Sequence, residues 1–139
     1  MCTRREVLIG ASGVGCALAI AGAASAANEH GVFVSAARRM RDDAIAGGDQ
    51  PFGAVLVKDG AIVGYGPSRV IAERDDAAHA ERVALRDAQQ RLGSMDLSGT
   101  VLYSTSRPCL VCEQAAAAAG VARMLFGDEA IDAGAPRQR

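Results

Sequence analysis

The chain has 139 residues, of which 50% are hydrophobic and 4% aromatic, and its formal net charge is −1. A chain of this length can bury a core without disulfide bonds, so we expect one globular domain. The near-neutral charge excludes the strongly basic balance that is typical of proteins held by nucleic acid or by an acidic membrane surface.

Residues 1–26 have the three-part pattern of an export signal. Arg4 and Arg5 resemble a twin-arginine pair, an apolar run rich in alanine and glycine follows, and Ala24-Ser25-Ala26 fits a cleavage site. We therefore predict a twin-arginine-type signal peptide and a periplasmic or otherwise exported protein, which stays cytoplasmic if the signal is not used. We expect no membrane association beyond this signal.

Three other interpretations of this segment are an uncleaved membrane anchor, a soluble helix and a lipoprotein signal at Cys16. The many glycines and serines make residues 9–27 a poor membrane span, and apolar residues continue well past Cys16. Cleavage after Ala26 would leave Cys109 and Cys112 as the only thiols, which is not the framework of a disulfide-rich protein.

Hydrophobic periodicity after the signal predicts helices and strands in the order α-β-β-α-β-α-β. The predicted helices are 32–46, 79–92 and 108–119, and the predicted strands are 52–58, 61–65, 100–104 and 122–126. This order implies an α/β fold with three layers, in which helices cover both faces of a mixed central sheet. We predict one domain at residues 27–127 and a poorly ordered tail at 128–139, where glycine, proline and polar residues dominate.

Two short motifs stand at the starts of the second and third predicted helices. They are His79-Ala80-Glu81 and Pro108-Cys109-Leu110-Val111-Cys112. A Cys-x-x-Cys pair at a helix start places both sulfurs on one side of the first turn, where the helix dipole stabilises thiolates. A catalytic zinc ion takes three protein ligands and keeps a fourth position open. We therefore predict a Zn²⁺ ion held by His79, Cys109 and Cys112.

Glu81 follows His79 by two residues, which turns its carboxylate away from ligation but keeps it close to the metal. Zinc lowers the pKa of a bound water from about 15.7 toward about 7. A carboxylate in this place can take the proton of that water and pass it on to the reacting molecule. We therefore predict Glu81 as the catalytic acid and base of a hydrolytic site.

From about residue 32 to 126, the chain resembles the cytidine/deoxycytidylate deaminase superfamily, in the branch that holds guanine deaminase, cytosine deaminase and tRNA adenosine deaminase. The resemblance rests on the two motifs in this order and on the segment 51–60. It implies a cytidine-deaminase-like fold and a zinc-dependent hydrolytic deaminase that releases ammonia from a free nucleobase or nucleoside, guanine or cytosine before others. It also implies a homodimer, with Phe52 beside the pocket and the backbone N–H of Ala80 on the substrate ring.

Three departures from that family pattern bear on the substrate. Ser68 stands where the branch has an asparagine that grips the base, so we predict it as a shorter substrate-binding group. Arg107 replaces the usual glutamate before Pro108, and it either favours an anionic substrate or points to solvent, the interpretation that we prefer. The chain is also shortened at its C-terminus, because the family continues with another strand and a helix.

The alternatives are a tRNA adenosine deaminase, an inactive zinc-binding deaminase-like protein and a Cys-x-x-Cys thiol redox protein. No basic stripe is present, so stable binding of nucleic acid is not expected. A structural zinc site would need a fourth protein ligand, and the only other histidine is His30, near the start of the exported domain. A redox role leaves the His79-Ala80-Glu81 motif unexplained.

Overall fold

The computed structural model describes residues 17–138, with side chains from residue 28 onward. The twin-arginine pair of the predicted signal lies outside this range. The elements, in chain order, are α1 Ala17–Ala46, β1 Gly53–Lys58, β2 Ala61–Pro67, α2 Val70–Glu73, α3 Ala80–Leu92, β3 Thr100–Ser104, α4 Leu110–Ala119, β4 Arg123–Phe126 and β5 Ile131–Gly134. Among these residues, no helix combines the length and the apolar character that crossing a membrane requires.

The five strands form one mixed sheet in the order β2-β1-β3-β4-β5. Strand β1 is antiparallel to both β2 and β3, β3 is parallel to β4, and β4 is antiparallel to β5. The parallel pair follows from its connection, because α4 crosses over between β3 and β4. The predicted mixed sheet is therefore confirmed.

A tight turn at Asp59-Gly60 joins β1 to β2. Both residues have positive φ angles, 50° at Asp59 and 76° at Gly60. Two-residue turns of this kind match the natural twist of a hairpin, and glycine takes such angles at little cost. The dipeptide thus forms the turn of the β1–β2 hairpin. The other end of β1 lies next to the site described below.

Separate apolar cores lie on the two faces of the sheet. Helix α1 packs through Phe33 and Ala37 on Val55 and Tyr103. On the other face, α3 and α4 pack on the strands, and the shared core residues are Ala54, Leu56, Ala84, Leu102, Ala116 and Met124. Neighbouring strand residues such as Val55 and Leu56 serve opposite cores because side chains alternate along a strand. The three-layer α/β/α architecture is confirmed.

The tail differs from the expectation of poor order, which is wrong for residues 131–138. Strand β5 pairs with β4, with Phe126 opposite Ile131. Beyond it, Arg137 donates three hydrogen bonds to the buried carboxylate of Glu113 on α4, at 2.9 to 3.0 Å. Backbone pairing to a free sheet edge needs no long apolar run, so hydrophobic periodicity does not detect it. The stretch between β2 and α3, where neither a helix nor a strand was predicted, also contains the short helix α2.

Candidate metal centre

Three ligand atoms of the two motifs meet at the starts of α3 and α4. His79 caps α3 and Cys109 caps α4, both with extended backbone, and Cys112 follows in the first turn of α4. The Nδ1 atom of His79 lies 3.5 Å from the Sγ atom of Cys109 and 3.4 Å from that of Cys112. All three ligand atoms lie within 4.8 Å of one another. The structure therefore brings together the three residues that the motif spacing singled out.

Glycines in β2 let α3 approach the sheet closely enough to place His79 there. A Cβ atom added at Gly66 would lie 2.1 Å from the carbonyl oxygen of Ala80, and one at Gly64 would lie 2.4 Å from that of Ala84. Contacts this short do not occur for real side chains, so only glycine permits the packing. The position of the histidine thus depends on small residues more than ten positions earlier in the chain.

The donor set fits zinc, since two sulfurs and one imidazole nitrogen form the Cys₂His set of a zinc site that keeps one position open. Both cysteines are free thiols. Cys112 is buried and Cys109 is exposed. Burial raises the pKa of the Cys112 thiol well above its ordinary value, and the neighbouring Glu81 carboxylate raises it further. Ligation reverses this effect, because a coordinating thiol is deprotonated by the charge of the metal.

Glu81 lies in the first turn of α3, buried beside this set. Its side chain is only 4% exposed, and its Oε1 atom accepts a 2.7 Å hydrogen bond from the hydroxyl of Ser104. A buried carboxylate without a cation at hydrogen-bond distance is costly unless it is hydrogen-bonded or serves a function. The side chain therefore lies where a proton-transferring group beside a metal is needed.

A cavity of about 200 Å³ opens onto the metal-binding residues. It is lined by Gln50, Phe52, His79, Glu81, Ser106, Arg107 and Cys109. A larger cavity of about 600 Å³ runs along α3 past Arg86 and Met95. His79, Cys109 and Cys112 are absent from the lining of that larger cavity. The smaller cavity is the candidate site because His79, Cys109 and Glu81 line it, although its volume is smaller.

Phe52 lines the small cavity, as the resemblance implied, and its side chain is 39% exposed. Arg107 also lines it and is exposed, with its guanidinium carbon 5.7 Å from the centre of the Phe126 ring. Ala80 is fully buried in the core at the start of α3. The role assigned to its backbone N–H stays a prediction.

Ser68, which the family resemblance implied as a substrate-binding group, follows β2 directly and is hydrogen-bonded inside the protein. The residue is 3% exposed, and its hydroxyl donates a 3.0 Å hydrogen bond to Asp49. The same carboxylate accepts hydrogen bonds from the backbone of Gln50 and Ala72, so it ties three segments together. Ser68 is absent from the lining of the small cavity. Its short side chain is thus bonded inside the protein, and its contact with the substrate stays a prediction.

Three residues near the site escaped the sequence analysis: Gln50, Ser104 and Ser106. Ser104 is the last residue of β3 and is 3% exposed. Its place at the end of the strand that leads into the Pro108-Cys109 motif was the available signal, since alternation along the strand puts it on the face opposite Tyr103. No comparable pattern marks Gln50, which comes from the turn after α1.

Comparison with known proteins places this site in a family. Residues 27–128 match the family model of the cytidine and deoxycytidylate deaminase zinc-binding region. A tRNA-specific adenosine deaminase of Buchnera aphidicola is 40% identical over 80 residues, which cover 58% of this chain and 53% of the relative. A guanine deaminase of Bacillus subtilis is 40% identical over 84 residues, which cover 60% of this chain and 54% of the relative.

The fold is shared as well as the sequence. The crystal structure of guanine deaminase from Bacillus subtilis superimposes with a TM-score of 0.67 at 35% identity, over 70% of this chain and 63% of that one. The chain thus spans about half the length of the curated relatives it matches. Because the family model covers most of the sequence and includes both zinc motifs, the chain belongs to the cytidine and deoxycytidylate deaminase zinc-binding family.

Proposed function

We propose that the protein is a zinc-dependent hydrolase that removes the amino group of a free nucleobase or nucleoside and releases ammonia. One observation carries this proposal. The ligand atoms of His79, Cys109 and Cys112 lie within 4.8 Å of one another, and His79, Cys109 and the buried Glu81 line the same cavity. A structural zinc site would have a fourth protein ligand. Here the fourth coordination position would instead face the cavity.

Different residues of the site would bind the metal, transfer protons and contact the substrate. His79, Cys109 and Cys112 would hold the metal, which when bound supplies Lewis acidity that makes water a nucleophile near neutral pH. Glu81 would take the first proton of the attacking water and give it to the ring nitrogen. It would then take the second proton from the hydroxyl group added to the ring carbon and give it to the amine, which leaves as ammonia. Phe52 would pack against the ring, and the N–H of Ala80 would bond its polar edge, as the family resemblance implies.

The size of the cavity supports a small substrate. Its volume of about 200 Å³ is below the roughly 300 to 1,000 Å³ of pockets for drug-sized ligands, which favours a single base or its nucleoside over a larger substrate. The nearly neutral net charge of −1 gives no field that would gather a polyanion. Guanine and cytosine, with their nucleosides, are therefore the first substrates to test.

The decisive experiment measures ammonia release from guanine, cytosine, guanosine and cytidine, with and without a zinc chelator. We expect turnover of at least one compound, loss of turnover in the chelator and recovery after zinc is added back. Zinc binding without turnover of any of these compounds, or of the transfer RNA considered next, would identify an inactive zinc-binding protein. A chain that binds no zinc but cycles between dithiol and disulfide would instead be a redox protein.

A second candidate is deamination of adenosine in transfer RNA. It is favoured by the relatives that are named tRNA-specific adenosine deaminases, one of them 37% identical over 100 residues. The same assay therefore includes an unmodified transfer RNA transcript, in which conversion of adenosine to inosine is read by sequencing. Conversion of the transcript with no release from free bases would favour this candidate over the first.

We also propose that the chain is exported and that it forms a homodimer. Export is supported by the twin-arginine pair and the Ala24-Ser25-Ala26 site, and N-terminal sequencing of the mature protein tests it. The dimer is supported by the family resemblance and by the exposed apolar residues Leu110 and Val111 on α4, which are 48% and 52% exposed. Light scattering coupled to size-exclusion chromatography gives the molar mass and hence the oligomeric state. A monomeric mass would overturn the dimer.

A further inference from the structure

We infer that Ser104 is a positioning residue for Glu81: its hydroxyl anchors one carboxylate oxygen, so the other oxygen is left to face the reacting atoms. The inference rests on the proposed deaminase function. It concerns a residue that belongs to neither zinc motif and lies on β3, between the helices that carry them. Among the described residues, the Ser104 hydroxyl is hydrogen-bonded to Glu81 and to the backbone of Ser106 and to none of the three candidate metal ligands, so Glu81 is the reacting side chain through which it would act.

The hydrogen bond has a fixed direction. The Ser104 hydroxyl donates over the 2.7 Å to Oε1 of Glu81, which accepts the bond as a carboxylate oxygen. The backbone N–H of Ser106 lies 3.5 Å from the same hydroxyl oxygen and donates to it weakly. That contact occupies one side of the oxygen and turns the hydroxyl proton toward Glu81.

Burial makes this contact strong. Glu81 is 4% exposed and Ser104 is 3% exposed, so water does not compete for the hydrogen bond. A hydrogen bond to a charged group in such surroundings is shorter and stronger than one between neutral groups. It restricts rotation of the carboxylate and distinguishes its two oxygens. Oε1 is held by the sheet, and Oε2 stays available to the molecule in the cavity.

A positioning role predicts a loss in turnover and not in binding. We expect Ser104→Ala to lower kcat about 10- to 100-fold, while KM stays within about twofold and the zinc content is unchanged. Ser104→Thr keeps the hydroxyl and should recover most of the lost kcat. The assay uses guanine or cytosine, whichever of the two the wild-type protein deaminates.

The matched control is Thr100→Val, at the other end of the same strand. Thr100 is fully buried, and its hydroxyl bonds the carbonyl of Leu97, away from the metal centre. Its loss should lower stability and leave kcat unchanged. A Ser104→Ala protein with wild-type kcat, or a loss of kcat that Thr100→Val reproduces, would overturn the inference.

A second measurement needs neither zinc nor turnover. In the zinc-free protein, urea unfolding of Glu81→Gln, Ser104→Ala and the double variant reports whether the two side chains interact. We expect the two effects to be clearly non-additive, because either change removes the same charged hydrogen bond. Additive effects would overturn the inference even if no substrate is found, whereas failure of the ammonia assay alone counts against the proposed function.

Discussion

Replacing Gly66 by alanine should damage zinc binding although the residue touches no ligand. The added Cβ atom would lie 2.1 Å from the carbonyl oxygen of Ala80 and 2.6 Å from the backbone nitrogen of Ala84. Real contacts of this kind begin near 3.0 Å, so α3 and β2 must separate by roughly 1 Å. Since α3 carries His79 at its start while Cys109 and Cys112 lie on α4, that shift opens the ligand set.

The expected loss of zinc affinity follows from the small range of distances at which zinc binds its ligands. Zinc takes its nitrogen ligand at about 2.0 to 2.1 Å and its sulfur ligands at about 2.3 Å, so a displacement near 1 Å cannot be absorbed within the site. We expect zinc affinity to fall by about 10- to 100-fold, the range found when groups that orient ligands are lost. Overpacking should also lower the stability of the zinc-free protein by about 1 to 3 kcal/mol.

The assay is competition for zinc against a chromophoric chelator, together with urea unfolding of the zinc-free protein. Gly31→Ala is the control, because it lies in α1 and a Cβ atom there meets nothing within 4 Å. That control should keep wild-type zinc affinity. If Gly66→Ala loses stability but binds zinc as tightly as the wild-type protein, the edge strand moves instead of α3, and the link between this glycine and the metal centre is refuted.

Three further predictions concern single side chains. Glu81→Gln should keep about one zinc ion per chain while ammonia release falls about 100- to 10,000-fold, and unchanged turnover would dismiss its role in proton transfer. Phe52→Ala should raise KM about 10-fold and leave kcat within about threefold, because ring stacking contributes equally to ground and transition states; an unchanged KM in the ammonia assay would contradict this. Glu113→Gln should release the tail at neutral pH, seen as faster hydrogen exchange of residues 131–138. The hydrogen bond from Arg137 lowers the pKa of Glu113 below its ordinary 4.5, so the carboxylate stabilises the tail above that pH. That stabilisation is lost as the pH falls through the lowered value, and the two proteins should then exchange alike. Equal exchange at neutral pH would contradict this account of the tail.

The metal centre could be predicted from the sequence because its chemistry is local. His79 and Glu81 are two residues apart, and Cys109 and Cys112 are three apart, so each motif fixes its own geometry at a helix start. The first four strands could also be predicted, since hydrophobic periodicity is a property of short segments. The two motifs were joined into one site because together they supply the three protein ligands of a catalytic zinc ion.

What the sequence did not reveal depends on contacts between distant segments. The bond of Ser104 to Glu81 spans 23 residues, and that of Arg137 to Glu113 spans 24. Strand β5 forms because β4 offers a free edge, which no local pattern records. The hydrogen bond of Ser68 to Asp49 likewise spans 19 residues, so the sequence did not reveal this partner.

The most direct test of the metal centre is metal analysis of the purified full chain combined with X-ray absorption spectroscopy at the zinc edge. We expect about one zinc ion per chain, with two sulfur ligands at about 2.3 Å and one nitrogen ligand at about 2.0 to 2.1 Å from the protein. A Cys109→Ser and Cys112→Ser double variant should lose the metal. A full zinc complement in that double variant would contradict the account.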